Sequence, residues 1–410
     1  MNRVIQLFFL ILLPFYPLWA WLSIYFLKKP VGVFVTLILI PVVLYYLIIQ
    51  KIKIPKYLIF LILFTIYHVL STLLNQVLPP NTGTVSFLLS DANVLACLIF
   101  IVIESVQFDE GFIRKMTKLI FVVIIISLIV SLIQIKYPYF FISSTITGNI
   151  GGLVYLEEQR CFSIFSWVNL NSLGVSFPIL IAILISVYHS KKKTVFVTII
   201  IGIVVAFLTR ARYVMISTII VMSQLFFNSM IAVRKKVYTL VLFAGILIVL
   251  VGVASLSGYN IQQVIDNRIL EKDTGMGSAK ARIVSYEVFL LKFPENPWFG
   301  VGPETRPDVA RLLIGVAPLI HVGYLSYLYY YGVFGSLLIF LSIFFLLQYA
   351  WMTGRKYAFW GSLYGLISFC FANTTFVYFN FSEMGVVLAV LYLKYYNDKS
   401  PSDFPEHQLI

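Results

Sequence analysis

Long apolar runs separated by short polar connections extend along most of the chain, up to about residue 396. Most of these runs approach the roughly 20 residues that an α-helix needs to cross a bilayer. From this pattern we predict about twelve membrane-spanning helices. The predicted spans are 4–27, 31–50, 57–77, 87–105, 118–135, 164–187, 194–209, 213–232, 237–257, 321–349, 357–377 and 381–396.

The basic residues orient these helices, because Lys and Arg are enriched in short cytoplasmic loops. Alternate connections carry them, among others at Lys51, Arg114, Lys191, Arg234 and Arg355. Both termini are therefore expected in the cytoplasm, with a cytoplasmic tail at 397–410. The longest connection, 258–320, lies between the ninth and tenth predicted helices and is expected on the outer side.

Composition supports an all-α polytopic membrane protein and limits the classes of partner that it is expected to bind. The chain is 60% hydrophobic and only 11% charged, unlike an ordinary soluble domain. Its net charge of +13 lies mainly in short caps beside predicted helices, where membrane orientation and anionic lipid account for it. We expect the lipid bilayer as a partner and no nucleic acid. Residues 1–396 are predicted to form a single transmembrane helical domain that includes 258–320 as an extracytoplasmic cap.

Arg210 and Arg212 conflict with this charge pattern. They lie between the apolar runs 195–208 and 214–231, on the side predicted to face outward. A charged side chain at membrane depth costs roughly 2.5–3.5 kcal/mol on insertion scales, so such residues mostly line a cavity or bind a ligand. The structural alternative is that both side chains extend to lipid headgroups and cap a pair of helices.

The sequence offers no pattern typical of a metal or nucleotide site. Its four histidines are His68, His189, His321 and His407, and none has a histidine partner at i+4. No acidic cluster provides a ligand set, and no phosphate-binding glycine-rich loop is present. We predict metal-independent chemistry with no bound cofactor.

The outer segment contains one further predicted helix. Residues 279–293 have the periodicity of an amphipathic helix, with Ile283, Tyr286, Leu290 and Phe293 on one stripe. Such a helix suits a membrane surface. The prolines and glycines that follow predict an irregular loop.

Five elements occur in an order that resembles the O-antigen polymerase and O-antigen ligase family. They are Leu208-Thr-Arg-Ala-Arg212, Ala281-Arg282, Glu295-Asn-Pro-Trp-Phe-Gly-Val-Gly302, His321-Val-Gly-Tyr-Leu and Tyr331-Gly-Val-Phe-Gly335. Arg160-Cys-Phe-Ser-Ile-Phe165 is similar to a further family motif, Arg-x-x-Gly-x-Phe, with Ser163 in place of the Gly. Ala211 and Val322 also differ from the Ser and Asn that are common in the family.

The resemblance implies an enzyme of the bacterial inner membrane with its site on the outer face. A glycan on a polyprenyl diphosphate is the donor, and an acceptor hydroxyl attacks its anomeric carbon. Because arginine fits phosphate oxygens with a permanent charge, Arg212 and Arg282 are predicted as catalytic cations. His321 is predicted to activate or orient the hydroxyl. The predicted substrate-binding residues are Arg210, Arg160 and Tyr324.

Each of these roles has a structural alternative. Arg282 is also typical of a solvated helix face, and Arg160 of a weak salt bridge with a neighbouring glutamate. His321 could be hydrogen-bonded at a helix start. Most of the tyrosines at 324–331 are more typical of an interfacial aromatic belt than of a sugar-binding surface.

We predict a polymerase of O-antigen, capsule or exopolysaccharide that adds the glycan to a lipid-linked repeat unit. A flippase and a chain-length regulator are expected partners. A ligase of the same family is the nearest alternative, because it uses the same donor with a different acceptor. A flippase or other transporter is a third hypothesis, but transporters place their sites near the bilayer midplane between two related halves, and no internal repeat is visible here.

Overall fold

The computed structural model describes residues 2–49, 54–75, 83–148, 153, 156, 160–168, 172–227, 278–303, 307–313, 320, 322–375 and 379–399. Every element within these residues is helical, which agrees with the predicted all-α class. The predicted span 237–257 and the predicted catalytic residue His321 lie outside the described residues.

The helices follow one another with short connections, apart from the segments outside the described residues. The α-helices are Asn2–Leu12, Tyr16–Leu22, Val31–Ile49, Lys56–Leu74, Thr84–Ser90, Ala92–Ser105, Glu110–Lys136, Ser144–Thr147, Ser172–Val187, Lys192–Leu208, Arg212–Met222, Gln224–Phe227, Ser278–Lys292, Pro307–Leu312, Gly323–Tyr357, Gly361–Ala372 and Met384–Asp398. A π-helical turn at Ser23–Leu27 and 3-10 helices at Ser163–Trp167 and Phe293–Glu295 complete them.

Several of these helices have the length and composition of membrane spans. Within the described part of the chain, four qualify singly, and the number rises to six if each of two bent pairs forms one span. The predicted span 4–27 is one such pair, bent by 76° between Leu12 and Tyr16, where Pro14 disfavours a continuous helix. The chain is a multi-pass membrane protein, and the number of about twelve spans stays a prediction.

The Ser172–Val187 helix lies at the centre of the bundle. Its side chains from Ser172 to Ile185 are all buried, as expected for a helix that is apolar on every side. Within the described residues, five α-helices pack around it: Glu110–Lys136, Lys192–Leu208, Arg212–Met222, Gly361–Ala372 and Met384–Asp398. The residues of its first turn therefore contact the groups that lie at that end of the bundle.

The Gly323–Tyr357 helix is longer than the predicted span 321–349 and is broken inside. At Gly332 the backbone has φ 61° and ψ −167°, far from helical values. The helix packs along Lys56–Leu74. The break leaves nearby backbone groups without their usual helical partners, so other groups must bond to them.

The predicted amphipathic helix at 279–293 is confirmed as Ser278–Lys292. Ser285, Val288 and Phe289 are buried. In the predicted apolar stripe, Ile283, Tyr286 and Leu290 are exposed, and Phe293 is half-buried. The face that would meet a membrane surface is thus the outer face of this helix, while its other face packs on the Gly323–Tyr357 helix.

Candidate functional site

A tight turn presents Arg210 and Arg212 at one end of the bundle. Arg210 has φ +51°, a left-handed conformation that is unfavourable for a residue with a side chain. Thr209 supports the turn, because its hydroxyl donates to the Ala206 carbonyl at 2.7 Å and accepts the Ala211 N–H at 3.3 Å. Arg212 then begins a helix. Strained backbone of this kind is concentrated at functional sites.

The segment with Arg160 lies directly against this turn. The N–H of Cys161 donates to the carbonyl of Leu208 at 3.2 Å. Burial raises the pKa of the Cys161 thiol to about 12, and the nearby Arg210 guanidinium partly opposes that rise. Arg160, Arg210 and Arg212 therefore belong to one region of the protein, and all three side chains are half-buried.

Gln134 fixes the shape of the Arg160 segment from inside the bundle. Its side-chain oxygen accepts the N–H groups of Phe162 and Ser163 at 2.9 and 2.8 Å. Its amide nitrogen donates to the carbonyls of Phe140 and Ser163 at 3.0 and 3.3 Å. Ser163 has φ +55°, which explains why a glycine suits this position in the family motif.

Gln134→Leu is expected to destabilise this segment, because it removes all four bonds and leaves two buried N–H donors without that acceptor. Each such group costs about 1–3 kcal/mol, so the midpoint of thermal unfolding should fall by several degrees. Gln6→Leu is the matched control, because Gln6 makes one bond, to the Gln107 carbonyl at 2.8 Å. Equal losses in the two variants would contradict the role assigned to Gln134.

The turn is also packed onto the central helix. A Cβ added to Gly174 would overlap the ring of Tyr213. Only a residue without a side chain lets this ring lie against the Ser172–Val187 helix. The start of the Ser172–Val187 helix and the arginine turn thus form one packed unit.

Glu383 is a buried acidic residue near this unit that the sequence analysis missed. Its side chain is only 3% exposed. Ser172 donates to one carboxylate oxygen at 2.9 Å, Asn380 donates to the same oxygen at 3.0 Å, and Ser176 lies 3.4 Å from the other. Glu383 precedes the Met384–Asp398 helix, whose dipole favours negative charge there. A lone Glu in the apolar predicted span 381–396 was the available signal.

The loop 297–302 is hydrogen-bonded into the break of the Gly323–Tyr357 helix. Backbone groups on both sides exchange bonds, and we call the resulting unit, 297–302 with 329–334, the clasp. Its bonds run from Val301 N–H to Tyr329 O (3.3 Å), Gly302 N–H to Tyr330 O (2.8 Å), Val333 N–H to Pro297 O (2.8 Å) and Phe334 N–H to Trp298 O (3.1 Å). The clasp satisfies the groups that the helix break exposes.

Two glycines make the clasp possible. Gly300 has φ +70° and Gly332 φ +61°, both left-handed values that favour glycine. A Cβ on Gly300 would overlap the Tyr330 carbonyl, and one on Gly332 would overlap the Trp298 carbonyl. Two of the five sequence elements of the resemblance are therefore parts of one contact.

Arg282 is carried by the helix that leads into the clasp, and its side chain is half-buried. The end of this helix is tied down by Lys292, whose amine lies 2.7 Å from Asp308 and 2.8 Å from Glu295. These hydrogen bonds, first that to Asp308, raise the pKa of Lys292. The helix that carries Arg282 thus leads directly into the clasp.

Tyr324, the remaining predicted site residue that the structure describes, lies in the first turn of the Gly323–Tyr357 helix. The N–H of Gly323, two residues after His321, donates to the Asn373 carbonyl at 3.1 Å. The Tyr324 hydroxyl donates to the Cys370 carbonyl at 2.7 Å. Its predicted contact with substrate stays a prediction.

The neighbouring tyrosines correct an interpretation of the sequence. Tyr327, Tyr329, Tyr330 and Tyr331 are at most 2% exposed. The interfacial-belt interpretation is wrong for these four, because belt residues face lipid and headgroups. Tyr327 packs against rings of neighbouring segments, and Tyr329, Tyr330 and Tyr331 form part of the clasp.

Comparison with known proteins supports one family. Residues 178–341 are similar to the family described as O-antigen ligase, which confirms the predicted resemblance. This range includes the arginine turn, the helix with Arg282 and the clasp, whereas Arg160 and Glu383 lie outside it. A comparison with curated proteins finds no match. Among the described residues, no three His, Cys, Asp or Glu side chains are grouped to hold a metal ion.

Proposed function

We propose, on the premise that residues 178–341 are similar to the family described as O-antigen ligase, that the chain is a polysaccharide polymerase of the bacterial inner membrane. It transfers a growing glycan from polyprenyl diphosphate to a lipid-linked repeat unit of O-antigen, capsule or exopolysaccharide. The observation that carries the proposal is the strained turn with Arg210 and Arg212, to which the Arg160 segment is bonded.

The proposed reaction places growing negative charge beside these arginines. The acceptor hydroxyl oxygen forms a bond to the anomeric carbon of the donor glycan. The bond from that carbon to the diphosphate oxygen breaks, and its electron pair leaves with the diphosphate. His321 takes the hydroxyl proton. Arg212, with Arg210 and Arg160, stabilises the leaving group, because charge placed in advance at a developing anion lowers the barrier.

Arg282 completes the cation set from the outer side. Its helix packs on the Gly323–Tyr357 helix and leads into the clasp. The site is proposed to face the cell exterior, with both termini in the cytoplasm. A flippase that delivers the lipid-linked unit and a chain-length regulator are the proposed partners.

A ligase is the second candidate, because the matched family is described as O-antigen ligase. It would use the same donor and the same arginines. The difference lies in the acceptor, which for a ligase is a lipid A core instead of a second lipid-linked unit.

The experiment that tests the proposal uses the full chain in proteoliposomes with polyprenyl-diphosphate-linked repeat units as the only glycan. A ladder of longer lipid-linked chains is the expected result. Transfer that occurs only after a lipid A core is added would instead identify a ligase. Movement of the repeat units between leaflets without lengthening would identify a flippase. Either of these results would refute a polymerase.

A further inference from the structure

Three side chains form a buried hydrogen-bonded chain beside the clasp. His68 Nε2 lies 2.8 Å from a carboxylate oxygen of Asp91, and His68 Nδ1 lies 2.8 Å from the Tyr331 hydroxyl. The side chains of His68 and Asp91 are only 6% and 10% exposed. A carboxylate only accepts hydrogen bonds. In a neutral His68 ring, Nε2–H therefore donates to Asp91, and Nδ1 accepts the Tyr331 hydroxyl proton.

Asp91 is held for this contact by the break between two helices. Thr84–Ser90 and Ala92–Ser105 meet at Asp91 with a bend of 52°. One carboxylate oxygen caps the second helix by accepting the N–H groups of Asn93 and Val94 at 2.9 and 3.0 Å. The other oxygen contacts His68. Capping and the His68 contact thus use different atoms of the same side chain.

Tyr67, the neighbour of His68, reaches the clasp directly. Its hydroxyl lies 2.7 Å from the Phe299 carbonyl and 3.1 Å from the Tyr331 carbonyl, and it bridges the two. The close approach depends on Gly335, where a Cβ would lie 2.5 Å from the Tyr67 ring. One turn of the Lys56–Leu74 helix therefore holds both the side chain and the backbone of Tyr331.

A buried ionisable pair needs a reason, because removing charge from water costs several kcal/mol per ion. Capping explains Asp91 but not His68, since an apolar residue would fill the same space in the bundle without that cost. Through the Tyr331 hydroxyl the pair is connected to the clasp, of which Tyr331 is a part. The clasp in turn fixes the end of the helix that carries Arg282.

We propose that Asp91 and His68 are positioning residues, which hold the clasp through Tyr331 and so set the place of Arg282. Their part in glycan transfer rests on the proposed function. Neither residue lies in the matched range 178–341. The inference therefore assigns a role to the amino-terminal third of the chain, which anchors the outer segment of the family domain.

Hydrogen–deuterium exchange of the full chain in lipid nanodiscs tests the proposal without any substrate. In His68→Leu, the amides of Val301, Gly302 and Phe334 are expected to exchange about tenfold faster or more. The substitution removes the hydrogen bonds that connect the charged Asp91 carboxylate to Tyr331 in the clasp. Tyr57→Phe is the matched control. It removes a buried tyrosine hydroxyl that donates to Glu104 at 2.7 Å, away from the clasp.

Two variants of Asp91 separate positioning from capping. Asp91→Asn keeps the cap and an acceptor for His68, so exchange in the clasp should stay near that of the wild type. Asp91→Ser keeps a favourable capping residue but is too short to reach His68, so exchange should rise as in His68→Leu. Unchanged clasp exchange in both His68→Leu and Asp91→Ser would overturn the proposal, as would an equal rise in Tyr57→Phe.

Transfer assays on the same samples keep the two proposals distinguishable. Glycan transfer should fall in Asp91→Ser and be retained in Asp91→Asn. Faster clasp exchange in a protein whose wild type transfers no glycan would refute the proposed function and leave the positioning of the clasp intact.

Discussion

Arg212→Ala is expected to slow glycan transfer by about a hundredfold to a thousandfold, the usual effect of removing one group that stabilises a developing anion. Arg212 begins a helix immediately after the left-handed Arg210. The substitution removes the guanidinium and leaves that backbone unchanged. The rate of chain lengthening on lipid-linked repeat units measures the effect, with membrane levels of each variant checked.

A lysine at the same position separates charge from geometry. Arg212→Lys keeps the positive charge but loses the planar fork that binds two phosphate oxygens, so its rate should lie between those of the wild type and the alanine variant. Arg114→Ala is the control, because Arg114 is 69% exposed and pairs with Glu110 on the same helix. Full activity in Arg212→Ala would remove Arg212 from the site.

Gly332→Ala is expected to open the clasp and reduce transfer by about tenfold or more, since a misplacement of about 1 Å can cost a hundredfold in rate. The new Cβ would overlap the Trp298 carbonyl. The backbone at φ +61° and ψ −167° lies in a region that is essentially restricted to glycine, so a side chain adds about 1–3 kcal/mol of strain. Exchange of the clasp amides and the transfer rate both report the change.

Two other glycines test whether the effect arises from the clasp. Gly300→Ala should reproduce the phenotype, because its Cβ would overlap the Tyr330 carbonyl on the opposite side of the same contact. The double variant should then be little worse than either single one, as expected for residues that share one interaction. Gly83→Ala should be neutral, because nothing lies within 4 Å of its Cβ. Normal clasp exchange in Gly332→Ala would contradict the described geometry.

Local patterns in the sequence determined much of this protein. Apolar runs near the length of a bilayer crossing predicted an all-helical membrane protein, and a helical period predicted the helix Ser278–Lys292. Two arginines between apolar runs marked the turn at Arg210. These inferences succeed because helix formation and membrane insertion depend on residues within a few turns of one another.

Only the tertiary structure decided which distant groups meet. Tyr67 and the Phe299 carbonyl are 232 residues apart in sequence, and Ser172 and Glu383 are 211 apart. No local period encodes such pairs, because they depend on which helix faces pack together. The same reason applies to the tyrosines at 327–331, which have the composition of an interfacial belt but are buried beside the clasp. The sequence by itself determined the all-helical class and the candidate charges, whereas packing joined His68, Asp91 and Tyr331 and inserted the loop 297–302 into a broken helix.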